Sequence, residues 1–169
     1  MMVHNGLIRG FELIRRELTV AIDPHYFPFM RGNTDSEMIF FLALTFGLQK
    51  DPLSAVEKAI GLVEHHAKAV GTEHPIQMTL GFADSQRLYG FRYSSEGDSR
   101  SLFYTESVET IKKLYPDLKG AQEISPHARA VVSEPVADLE GIWKPVSESS
   151  MIVVENGEVT SMPFNPKMP

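Results

Sequence analysis

The sequence predicts an α+β fold, with helices packed on mostly antiparallel sheets. Three observations carry that expectation. Apolar residues recur at helical spacing as far as Val70, and they alternate at strand spacing from Ile76 onward. The chain then closes on an Asn-Gly dipeptide between two apolar runs, the strongest short-range hairpin signal. Helices first and strands afterwards is the order of an α+β domain rather than of an alternating parallel sheet.

The chain opens with a short apolar run, Met2-Val3-His4, ending in Asn5-Gly6. Leu7, Phe11, Ile14 and Leu18 then recur at spacings of three and four, which predicts an amphipathic helix. It must end before Asp23-Pro24, because the residue preceding proline disfavours the helical region. His25 to Met30 is aromatic and contains Pro28, so it reads as an ordered loop, with Tyr26, Phe27 and Phe29 as lid or core packing. Thr34 or Asp35 caps a second helix, in which Met38 to Leu44 is apolar all round and therefore buried on most sides. Asp51-Pro52 opens a third, whose stripe of Leu53, Val56, Ile60, Val63 and Ala67 stops at Gly71.

Ile76, Met78, Leu80 and Phe82 alternate with polar or small residues, and Arg87 to Tyr93 returns after the Asp84-Ser85 turn as the second arm of a hairpin. Leu102 to Tyr104 is a short strand, followed by a small helix with Val108, Ile111 and Leu114 on one face. Ala128 to Val132 reads as a strand, and Met151 to Val154 and Val159 to Met162 flank Asn156-Gly157. The tail from Pro163 to Pro169 is expected to lie extended over the surface. No repeat or long linker divides the chain, so residues 1–169 read as one domain. If Met2 to His4 is a strand, it is a lone one whose neighbours are remote in sequence.

Composition narrows the function. A formal net charge of −6 and the lack of any Lys/Arg cluster argue against a nucleic-acid surface. No apolar run is long enough to span a bilayer and no signal peptide opens the chain, so a cytosolic protein without membrane contact is expected. Cysteine is absent, which excludes disulfides, thiolate metal sites and a cysteine nucleophile within these residues. His65 and His66 are adjacent and point apart on a helix, and no His-x-x-x-His pair exists; no metal and no cofactor is expected.

The candidate site residues lie near the start. Asn5 offers a side-chain N–H₂ and Gly6 a backbone N–H, neutral donors suited to a developing oxyanion; alternatively the pair simply turns the chain. Asp35 can hold an α-ammonium group, or with Thr34 serve only as a helix cap. Arg31 can meet a carboxylate bidentately. His4 can carry a proton or be a hydrogen-bonded structural residue. Asp84, Glu96, Asp98 and Glu134 read as loop and surface charges, and Trp143 as packing.

Taken in order and spacing, His4-Asn5-Gly6 followed by Asn33-Thr34-Asp35-Ser36-Glu37 resembles the class II glutamine amidotransferases of the N-terminal-nucleophile hydrolase fold. Val131 to Pro135, Trp143 and the terminal hairpin are similar to the stand-alone bacterial branch of that family. The resemblance implies a four-layer α-β-β-α sandwich and hydrolysis of the glutamine side-chain amide. An N-terminal cysteine attacks, its α-amine acts as base, and a glutamyl thioester and ammonia result. By motif position Asn5 and Gly6 match the oxyanion-hole pair and Asp35 the residue that binds the substrate amino group; His4 and Thr34 are expected to join Asp35 in binding substrate, and Arg31 has no secure match. The family places its cysteine, several strands and a substrate loop ahead of His-Asn-Gly, and none of these is present in the sequence.

The expectation is thus an incomplete sandwich, the C-terminal part of an amidotransferase domain, inactive alone. Its partners would be glutamine or a related amino acid, and either a second copy of itself or the absent segment supplied in trans. The alternative is a non-catalytic ligand-binding or assembly domain. A hydrolase using Ser133 or Ser85 has no sequence signature of activation behind it.

Overall fold

The N-terminal run and the first predicted hairpin, far apart in sequence, lie side by side. The computed structural model describes residues 1–117, 120–135 and 141–169. The first strand, β1, spans Met2–Ile8, and three helices follow: α1 (Phe11–Ala21), α2 (Asp35–Thr45) and α3 (Pro52–Ala69). The predicted hairpin is β2 (Ile76–Ala83) and β3 (Arg87–Ser94). Next come β4 (Phe103–Thr105), α4 (Val108–Leu114), β5 (Val131–Val132), β6 (Trp143–Pro145), β7 (Ser150–Glu155) and β8 (Glu158–Pro163). One sheet has the order β1-β2-β3-β7-β8 and a second the order β5-β4-β6, and every pairing in both is antiparallel.

The helices form where their caps and stripes put them. Thr34 accepts the Glu37 N–H at 3.2 Å, and Asp51 accepts the Ser54 N–H at 3.1 Å with Pro52 following it. Glu37 turns its carboxylate back onto the Arg31 and Gly32 N–H groups, both at 2.8 Å, which ties the preceding loop to the helix. Met38, Ile39, Phe41, Leu42 and Ala43 of α2 are all buried. At about 1.5–3 kcal/mol for each large apolar side chain, this burial outweighs anything helix propensity contributes.

Two expectations at the edges of helices change. The first helix starts at Phe11, because Leu7 belongs to β1 and the turn between them is Arg9-Gly10, with Gly10 at φ +71°. The spacing of Leu7 to Phe11 imitates a helical period across what is a strand end. Phe27 and Phe29 form a single 3₁₀ turn and are 55% and 58% exposed, so it is Tyr26 and Met30 of that loop that pack on the core.

Because β1 to β3 and β7 pair in register, residues directly opposite one another share a face. Ile8, Ile76, Met78, Leu80, Phe91 and Met151 face the helices and build the main core. Val3, Asn5 and Leu7 lie on the opposite face, in rows with Gly81, Thr79 and Gln77. Over part of that second face Leu102, Val146 and Ile152 form a smaller core with Tyr104, Val131 and Val159. Beyond the three-stranded sheet, Ile111 of α4 meets Ile142, Tyr115 and Trp143.

The Asn156-Gly157 hairpin forms as predicted, with φ +51° and +82°. The tail departs from a surface strand: Phe164 is fully buried, and the chain then crosses α3 so closely at Gly61 that a Cβ there would lie 2.2 Å from the Lys167 carbonyl oxygen. No helix among the described residues is long and apolar enough to cross a membrane.

Candidate functional site

The predicted site residues gather at the free edge of β1 and the N-terminus of α2. Neither Asn5 nor Gly6 turns the chain; both sit inside β1, opposite Thr79 and Met78. The Met1 and Ala83 backbones exchange both hydrogen bonds at 3.0 Å, and the Arg9 N–H reaches Pro75 at 2.8 Å. Odd-numbered residues of β1 therefore bond to β2, and the N–H groups of His4, Gly6 and Ile8 point to the open edge. Asp35 uses that edge: its Oδ2 accepts the Ile8 N–H at 2.9 Å, while Oδ1 accepts the Ser36 N–H at 2.7 Å. The Ser36 hydroxyl also donates to Oδ1, at 3.3 Å; a carboxylate has about four acceptor positions, so these three bonds leave room for one further donor. Thr34 is exposed and caps α2.

His4 lies on the helix-facing side of β1. Its Nδ1 is 2.8 Å from Ser36 Oγ, and its buried Nε2 has no hydrogen-bond partner among the described residues. Burial pushes the imidazole below its ordinary value of 6.5, against a smaller opposing pull from the Asp35 carboxylate. It is a neutral ring at neutral pH, linking β1 to α2. The sign of the pH effect follows. A histidine whose folded pKa is lowered binds protons more readily in the unfolded chain, so stability is lost as pH falls through about 6.5 and is level above it. His4→Gln is expected to flatten that slope in melting temperatures taken between about pH 5 and 8. An unchanged slope would assign the effect elsewhere.

Asn5 faces the other way. Its backbone carbonyl accepts Thr79 Oγ1 at 3.0 Å, and its side-chain Oδ1 accepts Arg100 Nη1 at 2.9 Å. Asn5 borders a cavity of about 170 Å³ between the two sheets, lined also by Val3, Thr79, Leu88, Leu102, Val131 and Ser133. A larger space of about 290 Å³ near Met1, Phe40, Phe82 and Asp84 holds none of the predicted site residues.

Gly6 is fixed by packing. A Cβ at this position would lie 2.0 Å from the Gln77 carbonyl oxygen and 2.7 Å from His4 Nε2. Arg31 stays exposed, engaged through its backbone N–H and by no side-chain bond among the described residues. Ser133 lines the cavity, but its hydroxyl bonds to no described residue, and Ser85 is exposed in the β2–β3 turn, so neither has an activating base among the described residues. Arg100 was invisible in the sequence. It sits 95 residues from Asn5, in a polar loop with no motif.

Among solved structures, a glutamine aminotransferase class-II domain protein from Silicibacter pomeroyi is similar over 98% of this chain and 67% of its own, at 33% identity and a TM-score of 0.82. The glutamine phosphoribosylpyrophosphate amidotransferase of B. subtilis matches 99% of this chain and 29% of its own, at 13% identity and a TM-score of 0.61. A predicted glutamine amidotransferase from Pseudomonas aeruginosa matches 95% and 59%, at 21% identity and 0.52. The second and third show the fold alone. No family profile and no curated sequence matches. On the first of these similarities, the chain belongs to the class II glutamine amidotransferase domain family. It spans about two thirds of the length of that relative, and it contains no cysteine.

Proposed function

We propose that these residues are the C-terminal part of a glutamine amidotransferase domain, carrying the oxyanion-stabilising and amino-group-binding half of a glutamine site. The observation that carries the reading is the placement of Asn5 and Gly6 side by side on the edge strand β1, with the Gly6 N–H at the open edge and the Asp35 carboxylate bonded to that same edge at Ile8, in a chain without a thiol. Helices, five-stranded sheet, three-stranded sheet and α4 follow one another in the order of a four-layer sandwich, which supports the full α-β-β-α assignment.

In this reading the glutamine α-ammonium group meets Asp35, and the side-chain carbonyl oxygen faces the Asn5 N–H₂ and the Gly6 N–H. As a nucleophile adds to the amide carbon, charge gathers on that oxygen and both donors strengthen. The thiol that attacks must come from a polypeptide segment outside these residues. The purified 169-residue chain is therefore expected to release no ammonia from glutamine, and release at an enzyme-like rate would overturn the proposal. An assembly role is the second reading, favoured by the open β1 edge with Val3 61% and Leu7 39% exposed beside it. Light scattering and calorimetry with glutamine separate the two: a monomer that binds glutamine supports the first, a dimer that binds none supports the second, and a monomer that binds none supports neither.

A further inference from the structure

The Asn5 side chain is held in one orientation by a cation that no motif announced. Arg100 Nη1 lies 2.9 Å from Asn5 Oδ1. A guanidinium has five donors and no acceptor, so only the carbonyl end of the amide can face it. The amide nitrogen is thereby turned the other way, and it bonds to no described residue. Arg100 itself forms no ion pair with a described carboxylate.

The loop that presents Arg100 is built to stay in place. Gln77, on the same face of the sheet as Asn5, donates to the Asp98 carbonyl at 2.7 Å and accepts the Arg100 N–H at 3.2 Å. Arg92 Nε donates to the Arg100 carbonyl at 3.0 Å, and Nη1 donates to the Val146 carbonyl at 2.6 Å. Ser99 is buried, and it donates to Glu148 through both its N–H, at 2.9 Å, and its hydroxyl. A surface arginine reaching for an asparagine by chance needs none of this support.

We propose that Arg100 is the positioning residue of the site: it locks the Asn5 carboxamide with its N–H₂ presented to a ligand oxygen that carries or develops negative charge. The inference rests on the reading of Asn5 as an oxyanion donor. It adds what sets that donor's direction, and why the direction is single. The ligand chemistry it fits is a carbonyl passing to a tetrahedral oxyanion, or the γ-carboxylate of glutamate as its stable stand-in.

The test uses the 169-residue chain and the Asn5 side-chain amide resonances, assigned by their disappearance in Asn5→Asp. Arg100→Met is expected to move that N–H₂ pair towards the position of a freely rotating asparagine, with the β1–β2 backbone amides unchanged. Arg100→Lys, which keeps one donor direction, is expected to restore the pair in part and stands in should Arg100→Met fold poorly. An Asn5 pair that stays in place in both variants overturns the proposal. Titration with L-glutamine and L-glutamate gives the second readout: Arg100→Met is expected to weaken binding about tenfold, and unaltered affinity overturns the proposal as well. Failure of the wild-type chain to bind either amino acid, with the Asn5 resonances still responding to Arg100, would remove the glutamine-site reading and leave the positioning intact.

Discussion

Gly6→Ala is expected to cost about 3 kcal/mol or more of folding stability, at or beyond the upper end for overpacking. The added methyl would sit 2.0 Å from the Gln77 carbonyl oxygen and 2.9 Å from its carbon. The His4 ring, at 2.7 Å, can swing away; the β2 backbone cannot, because Gln77 pairs with Leu7 on one side and Ser94 on the other. Alanine also restricts the unfolded chain, a gain of about 0.4–1 kcal/mol, which is too small to reverse the sign. For a chain of this size the melting temperature should fall by roughly 6–12 °C. An unfolding free energy within about 0.5 kcal/mol of wild type would mean that β1 does not lie against β2 as described. The same closeness explains why the residue beside Asn5 is a glycine irrespective of any oxyanion.

The second large effect is at the other end of the chain. Phe164→Ala removes a fully buried ring packed edge-on against Phe91 and Tyr93, with centroids 5.4 and 5.3 Å away. Such truncations cost about 3–5 kcal/mol. The loss extends beyond the cavity, because Phe164 anchors a tail whose next residues cross the middle of α3 at Glu57 and Gly61. The Asn165 N–H donates to Glu57 Oε1 at 3.0 Å, and Lys167 Nζ lies 2.8 Å from Glu57 Oε2. Glu57 is only 5% exposed, so releasing the tail strips a buried carboxylate of its partners. Limited proteolysis should then cut the C-terminus of the variant before the rest of the chain. Equal protease resistance in wild type and variant would show that the tail does not depend on Phe164.

What the sequence made legible was local. The Asn156-Gly157 turn, the Thr34 and Asp51 caps and the alternation of Ile76 to Phe82 each rest on a few neighbouring residues, and each forms as expected. The order and spacing of His4-Asn5-Gly6 and Asp35 were enough to indicate the family. Contacts made across long separations were not legible. Nothing near Leu7 says that β1 runs on to Ile8, since that depends on β2. Nothing in the proline-rich tail marks Phe164 as core rather than surface, because the pocket that receives it comes from β3. Arg100 is a loop arginine until the sheet brings Asn5 beneath it.

The placement of three helices between β1 and its antiparallel neighbour also bears on folding kinetics. Asn5 and Thr79, which meet across that pairing, are 74 residues apart. Closing so long a loop is entropically costly until the intervening chain is compact. The helices must collapse first, and β1 is expected to zip onto the sheet late and to fray from it early. In native-state hydrogen exchange, the β1–β2 amides should open at lower free energy than those of β3–β7. The strand that bears the donor pair is then the slowest to arrive and the first to leave, so the site exists only in the fully assembled molecule.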